Sequence, residues 1–139
     1  MGRSITALET IASMNDRTSA FVVAVVDDDE SVLRSLEYLL ESADYSVRLF
    51  ASAAAFLDSD CLADLDCVVS EVDMPTIDGF DLLRRVDAAR PGLPVILITG
   101  YPDTLKRLPP TITTRIFTKP FQGPALLHAV SGAIRLFRE

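Results

Sequence analysis

Five times along this chain a short apolar run is followed by a stretch with helical spacing, and that alternation limits the possible folds more than any other feature. Phe21–Val26 is unbroken and rich in valine, and Leu65–Val69 and Leu93–Ile98 are runs of the same kind. Tyr45–Phe50 and Ile112–Thr118 read as shorter strands. Continuous β-branched character marks strands covered on both faces, as in a parallel sheet. After the first run, Val32, Leu33, Leu36, Leu39 and Leu40 form an i, i+3, i+4 stripe with Arg34, Glu37 and Glu41 off it, which predicts an amphipathic helix. Ser52 is the expected N-cap of a brief helix through Leu57. Phe80, Leu82, Leu83 and Val86 mark the next helix, closed by Pro91-Gly92. Thr104–Leu108 is a weak helical patch stopped by Pro109-Pro110. Ala125–Phe137 is the last helix, with Leu126, Leu127, Val130, Ile134 and Phe137 on one side. Short links between alternating strands and helices predict an α/β fold, an open parallel sheet with helices on both faces.

Composition sets the outer limits. A chain of 139 residues suits one domain, and 49% hydrophobic content supplies one core. Residues 1–20 are mixed and polar and read as a flexible leader, with a helical turn around Ile5–Met14; residues 21–139 read as the domain. A net charge of −7 is repelled by phosphate backbones, so direct nucleic-acid binding is not expected. No run approaches the ~18 apolar residues needed to span a bilayer, and Met1-Gly2-Arg3-Ser4 does not open a signal peptide. Cys61 and Cys67 form neither a disulfide framework nor a zinc pattern. They read as small hydrophobes beside or in a buried strand, in keeping with a reducing, cytoplasmic setting.

In an open α/β sheet, ligands bind beyond the carboxyl ends of the strands. Here the first strand ends in Asp27, Asp28 and Asp29, the third at Glu71, the fourth at Thr99 and the fifth at Lys119, followed by Pro120. Each has a plain explanation alone: a solvated loop or helix cap, a turn, a helix-entry loop. Their joint occurrence at four strand ends gathers carboxylates, one hydroxyl and one ammonium at one edge. Clustered carboxylates repel unless a cation separates them. Hard oxygen ligands suit Mg²⁺, and a lysine with a hydroxyl suits the oxygens of a phosphoryl group.

On these residues the chain resembles bacterial response-regulator receiver domains (CheY-like), in particular those that precede a helix-turn-helix output domain. The matching stretches are Val25-Val26-Asp27-Asp28-Asp29-Glu30, Met74-Pro75 with Asp78-Gly79, Leu93-Pro94-Val95-Ile96, Ile98-Thr99-Gly100 and Thr118-Lys119-Pro120-Phe121. The resemblance spans residues 21–137. It implies a flavodoxin-like, doubly wound sheet of five parallel strands in the order 2-1-3-4-5, and phosphorelay signalling through protein partners: a sensor kinase, and an output protein or domain. Asp27 and Asp28 match the acidic pair that holds Mg²⁺, Asp73 the position that lends the metal a backbone carbonyl, Thr99 the switch hydroxyl, and Lys119 the lysine that contacts a phosphoryl oxygen. A homodimer through the fourth helix and fifth strand is allowed by the same analogy.

The chain departs from that pattern at the centre. Counting four residues back from Pro75 places Glu71, not an aspartate, at the phosphoacceptor position. One extra methylene carries the carboxylate about 1.5 Å further out. In-line phosphoryl transfer depends on positioning, and an error near 1 Å costs about 100-fold. The expectation is a pseudo-receiver that is not phosphorylated, with weakened or absent Mg²⁺. The longer carboxylate reaches toward Lys119 and Thr99, a partial mimic carrying about one negative charge against nearly two. A Thr99 turned away together with a Lys119 unpaired with Glu71 would count against mimicry. Two further departures concern output. Ile116 stands where the family carries its switch aromatic, with Phe117 next to it, and the stretch from Tyr101 to Thr118 is short, predicting a short or irregular fourth helix. Three alternatives remain: phosphorylation on another carboxylate such as Asp73, a small hydrolase, and a receiver torn from a longer regulator. The hydrolase reading rests on the likeness of Glu71-Val72-Asp73 to the Asp-x-Asp motif of haloacid-dehalogenase-like phosphatases, which begin with aspartate. An enzyme is not the expected reading.

Overall fold

The computed structural model describes residues 20–107 and 116–138. Nearly all of the expected leader, the Pro109-Pro110 stop and the first residues of the expected fifth strand lie outside them. The strands are β1 (Val22–Val26), β2 (Ser46–Phe50), β3 (Cys67–Glu71), β4 (Val95–Thr99) and β5 (Ile116–Thr118). All neighbouring strands pair in parallel, in the order β2-β1-β3-β4-β5. Among the described residues there are four α-helices: α1 (Glu30–Ser42), α2 (Ala53–Asp58), α3 (Gly79–Ala89) and α4 (Gly123–Arg138). The doubly wound fold read from the sequence is therefore the fold observed.

Period-two alternation splits the central strands between two cores. Val23 and Val25, Cys67 and Val69, and Ile96 and Ile98 face one side, where they meet Leu33, Leu36 and Leu40 of α1 and Leu126, Ala129, Val130 and Ile134 of α4. Ala24 and Val26, Val68, and Val95 and Leu97 face the other, against Phe56 of α2 and Phe80, Leu82 and Val86 of α3. Because both faces are covered, β3 and β4 are buried at every residue, which is why they appear in the sequence as apolar runs rather than alternating ones. β2, at the sheet edge, is only half-buried.

Boundaries shift where local bonding overrides the apolar pattern. Leu65 is fully buried yet precedes β3: its N–H closes a 3-10 turn (Leu62–Asp64) by donating to the Leu62 carbonyl. The third strand ends at Glu71, as expected, two residues beyond the last residue of its apolar run. The weak helical patch after β4 is a 3-10 segment, Pro102–Arg107, in agreement with an irregular fourth helix. Ser52 caps α2 as expected, accepting from Ala55 N–H at 3.0 Å. Cys67 lies buried inside β3 and Cys61 half-buried before the 3-10 turn.

Candidate functional site

The residues singled out at the strand ends divide into two hydrogen-bonded groups. The first is built on β1, β3 and the residue after β5. Asp27 follows β1 directly, and its N–H donates to the Phe50 carbonyl at 3.1 Å, so the residue stays in the sheet's frame. Its carboxylate is buried (1% exposed); Oδ1 accepts from Asp29 N–H at 2.9 Å, and Oδ2 lies 3.4 Å from Lys119 Nζ. Glu71, the last residue of β3, is 5% exposed. Its Oε1 takes a 2.6 Å ion pair from Lys119 Nζ, and its Oε2 accepts from Asp73 N–H at 3.0 Å. The main chain of Lys119 is tied to β4 through a 2.8 Å bond from its N–H to the Thr99 carbonyl. One ammonium thus bridges two buried carboxylates.

Burial sets the electrostatics of this group. Desolvation pushes the Asp27 carboxyl above the usual carboxylate range, against the Asp29 N–H and the Lys119 charge, which favour ionisation. Glu71 is raised for the same reason, with the bonds from Lys119 and Asp73 opposing. Lys119 loses by partial burial but gains more from the Glu71 hydrogen bond and the charges of Asp27 and Glu71, so its ammonium is held above the ordinary lysine value.

The second group gathers around Asp73. Thr99, fully buried at the end of β4, donates to Asp73 Oδ2 at 2.6 Å. Thr104, in the 3-10 segment, approaches both oxygens of the same carboxylate at 2.9 and 3.0 Å. The reach of Glu71 toward Lys119 is therefore realised, while the Thr99 hydroxyl is bonded to Asp73.

The remaining candidates are dispersed. Asp28 is exposed. Asp29 serves as the N-cap of α1, accepting from Ser31 N–H at 2.9 Å, the plain role that an acid after a strand often fills. Ile116 packs against the core that contains Phe80, whereas Phe117 packs against the opposite core and contacts Phe121 edge-on, with ring centroids 6.2 Å apart. The neighbouring aromatic thus points to the other side of the sheet from the position in question. Among the described residues, no three acidic, histidine or cysteine side chains converge as ligands for a metal ion. The carboxylates of Asp27 and Glu71, hard donors of the kind Mg²⁺ takes, are instead directed at an ammonium.

Sequence reasoning overlooked two residues. Thr104 has no signature in the sequence; only the fold brings it to Asp73. Gly79 entered only as part of the Asp78-Gly79 match, with no role, but a Cβ on it would lie 2.6 Å from the Glu71 carbonyl oxygen and 2.7 Å from Val72 Cα. Its N–H also donates to the Val72 carbonyl at 2.8 Å. The start of α3 can press against the end of β3 only because this residue has no side chain.

Comparison with known proteins agrees with the fold. The model of the family described as response regulator receiver domain matches residues 23–131. The transcriptional regulatory protein FixJ of Bradyrhizobium diazoefficiens is 36% identical over 115 residues, covering 81% of this chain and 56% of that protein. The response regulator protein TodT of Pseudomonas putida is 34% identical over 125 residues, covering 88% and 54%. The crystal structure of full-length FixJ from B. japonicum superimposes with a TM-score of 0.72 at 36% identity, over 86% of this chain and 60% of that one. The chain spans about half the length of these curated relatives. No helix among the described residues is long and apolar enough to cross a membrane.

Proposed function

This chain belongs to the response regulator receiver domain family, and we propose that it acts there as an atypical receiver that phosphorylation does not switch, because Glu71 holds the acceptor position. The observation that carries the reading is the 2.6 Å contact between Glu71 Oε1 and Lys119 Nζ. The ammonium expected to meet a phosphoryl oxygen already has a carboxylate partner, buried and supported by a second hydrogen bond from Asp73 N–H. The acceptor oxygen stands a bond length too far out for in-line transfer, and each of the two carboxylate oxygens already accepts a hydrogen bond. Glu71 thereby supplies part of the charge of a phosphorylated site without the chemistry.

Mg²⁺ binding is weakened in this reading. Asp27, Asp28 and the backbone carbonyl of Asp73 would hold the ion, whose chemistry is to neutralise charge on a phosphoryl group. Lys119 competes for the Asp27 carboxylate, and the crowded Glu71 poorly suits an ion that demands near-ideal octahedral geometry. The protein works through protein partners in the cytoplasm, a sensor kinase or an output protein or domain, without contacting nucleic acid through this domain and without hydrolase activity.

The test is intact mass after exposure to acetyl phosphate and Mg²⁺, with the wild type beside Glu71→Asp. The expected result is no phosphoryl adduct on the wild type and one on the variant. An adduct on the wild type overturns the proposal.

A further inference from the structure

The Asp73 side chain and Thr104 have no place in the proposal above, although they hold the most buried hydroxyl of the site. Thr99 is fully buried and Thr104 is 2% exposed, so neither hydroxyl can exchange its partner for bulk water. A threonine has one hydroxyl proton. At 2.6 Å the Thr99 bond to Asp73 Oδ2 falls in the range of charge-assisted O–H···O⁻ bonds, the strong class. While that bond stands, Thr99 has no proton to give to Glu71 or to a phosphoryl oxygen. Thr104 braces the carboxylate from the other side, at 2.9 and 3.0 Å. The turn between them is closed by Tyr101 N–H donating to Thr99 Oγ1 at 3.0 Å and by Thr104 N–H donating to the Tyr101 carbonyl at 2.9 Å. The main chain of Asp73 meanwhile holds Glu71 Oε2. One residue therefore fixes the acceptor carboxylate through its backbone and the switch hydroxyl through its side chain.

We propose that Asp73 and Thr104 are positioning residues that latch Thr99 away from the Glu71–Lys119 pair, tying the segment after β4 to the loop after β3. The proposal rests on the receiver reading for the meaning of Thr99, but the latch itself does not. It leaves the ammonium engaged by Glu71 and the hydroxyl engaged by the Asp73 side chain, on two different carboxylates.

Two measurements test it on the full chain. In the first, amide hydrogen exchange of the wild type is compared with Thr104→Val, which keeps the side chain's shape, and with Asp73→Ala. Both variants are expected to speed exchange at the Tyr101 and Thr104 amides by about tenfold or more, with β1 and β3 amides unchanged. Unchanged exchange at Tyr101 and Thr104 overturns the latch. The second uses Glu71→Asp as background and beryllofluoride with Mg²⁺ as the phosphoryl stand-in. Adding Thr104→Val is expected to tighten binding about threefold, because the competent position of Thr99 no longer has to be drawn from a minor population. Adding Thr99→Val as well should abolish that gain. Equal binding with and without Thr104→Val, or a gain that survives Thr99→Val, overturns the positioning role. If the Glu71→Asp background binds no beryllofluoride at all, the receiver reading of the pocket fails instead, and the exchange measurement alone decides the latch.

Discussion

Replacing Lys119 by methionine isolates the bridge at the centre of the site. The substitution keeps the unbranched apolar stem of the side chain and removes the terminal ammonium. Two carboxylates would then face each other without a counter-ion, Asp27 at 1% exposure and Glu71 at 5%. Breaking a buried pair by removing one partner costs about 3–5 kcal/mol. The Lys119 side chain is 26% exposed, so water reaches part of the site and the lower end applies, about 3 kcal/mol. The pH dependence carries the sharper signature. Burial already raises both carboxyls, and without the ammonium they rise further. A carboxyl whose folded pKa lies above its unfolded value costs nothing when protonated in both states, and destabilises once pH rises through the folded pKa. The deficit of Lys119→Met relative to wild type should therefore be largest at pH 8 and shrink toward pH 5. In the wild type, Lys119 is held above the ordinary lysine value, so it does not titrate in that window. Urea unfolding at several pH values reads the effect: with a slope of about 1.5–2 kcal/mol per molar, the midpoint at pH 8 should fall by roughly 1.5–2 M. Adding Glu71→Gln should recover much of the loss, because it removes one of the stranded charges. A deficit flat in pH between 5 and 8, or below about 1 kcal/mol at pH 8, would refute the reasoning.

Gly79→Ala forces a Cβ to within 2.6 Å of the Glu71 carbonyl, which the backbone must move to relieve, so a loss of about 2–3 kcal/mol and a melting temperature lower by roughly 10 °C are expected by calorimetry. Thiol titration of the native protein at pH 8 should modify Cys61 and spare Cys67, whose thiol is pushed up to about 12 by burial within β3 and reacts only after unfolding.

The fold was legible because its signals are of long period and mutually consistent. Three valine- and leucine-rich runs predicted strands covered on both faces, and the two cores, one under α1 and α4 and one under α2 and α3, are what such strands require. The Leu33, Leu36 and Leu40 stripe buries as its spacing demands. Boundaries were less legible, since an apolar run does not distinguish a strand residue from one such as Leu65, buried at the end of a 3-10 turn. Within the site, Asp27, Glu71, Thr99 and Lys119 could be found because strand ends are positions that topology brings together. The reach of Glu71 to Lys119 was readable from its length, but the partner of Thr99 was not. The choice of Asp73 as partner for Thr99 depends on how the chain turns after β3, where Thr76 adopts a positive φ of 71°, and on Thr104 arriving from a segment whose helical signal was weak.

The two groups show how the buried charges of this site are balanced from within the chain. A buried carboxylate without a cation is costly, and Asp27 and Glu71 together would be more so. Lys119 resolves both at once, at 2.6 Å from one and 3.4 Å from the other, so the pocket's charge is balanced from within the chain. In the receiver reading proposed above, that solution uses the lysine that a phosphoryl group would recruit, and it leaves the Thr99 hydroxyl without a charged partner at Glu71. Asp73 fills that role and Thr104 braces it, so no buried donor in the pair of threonines is left unmade, a condition that buried polar groups must meet. The hydroxyl and the ammonium are thereby separated onto different carboxylates. In a receiver that responds to phosphate the same two groups would converge on one ligand. A chain wired this way holds its lysine in the engaged arrangement and its threonine in the disengaged one. Shortening Glu71 to aspartate should loosen both the lysine and the Asp73 N–H, while the bonds of Thr99 and Thr104 to the Asp73 side chain are left in place. The response of such a variant to a phosphoryl group then depends on how readily Thr99 leaves Asp73.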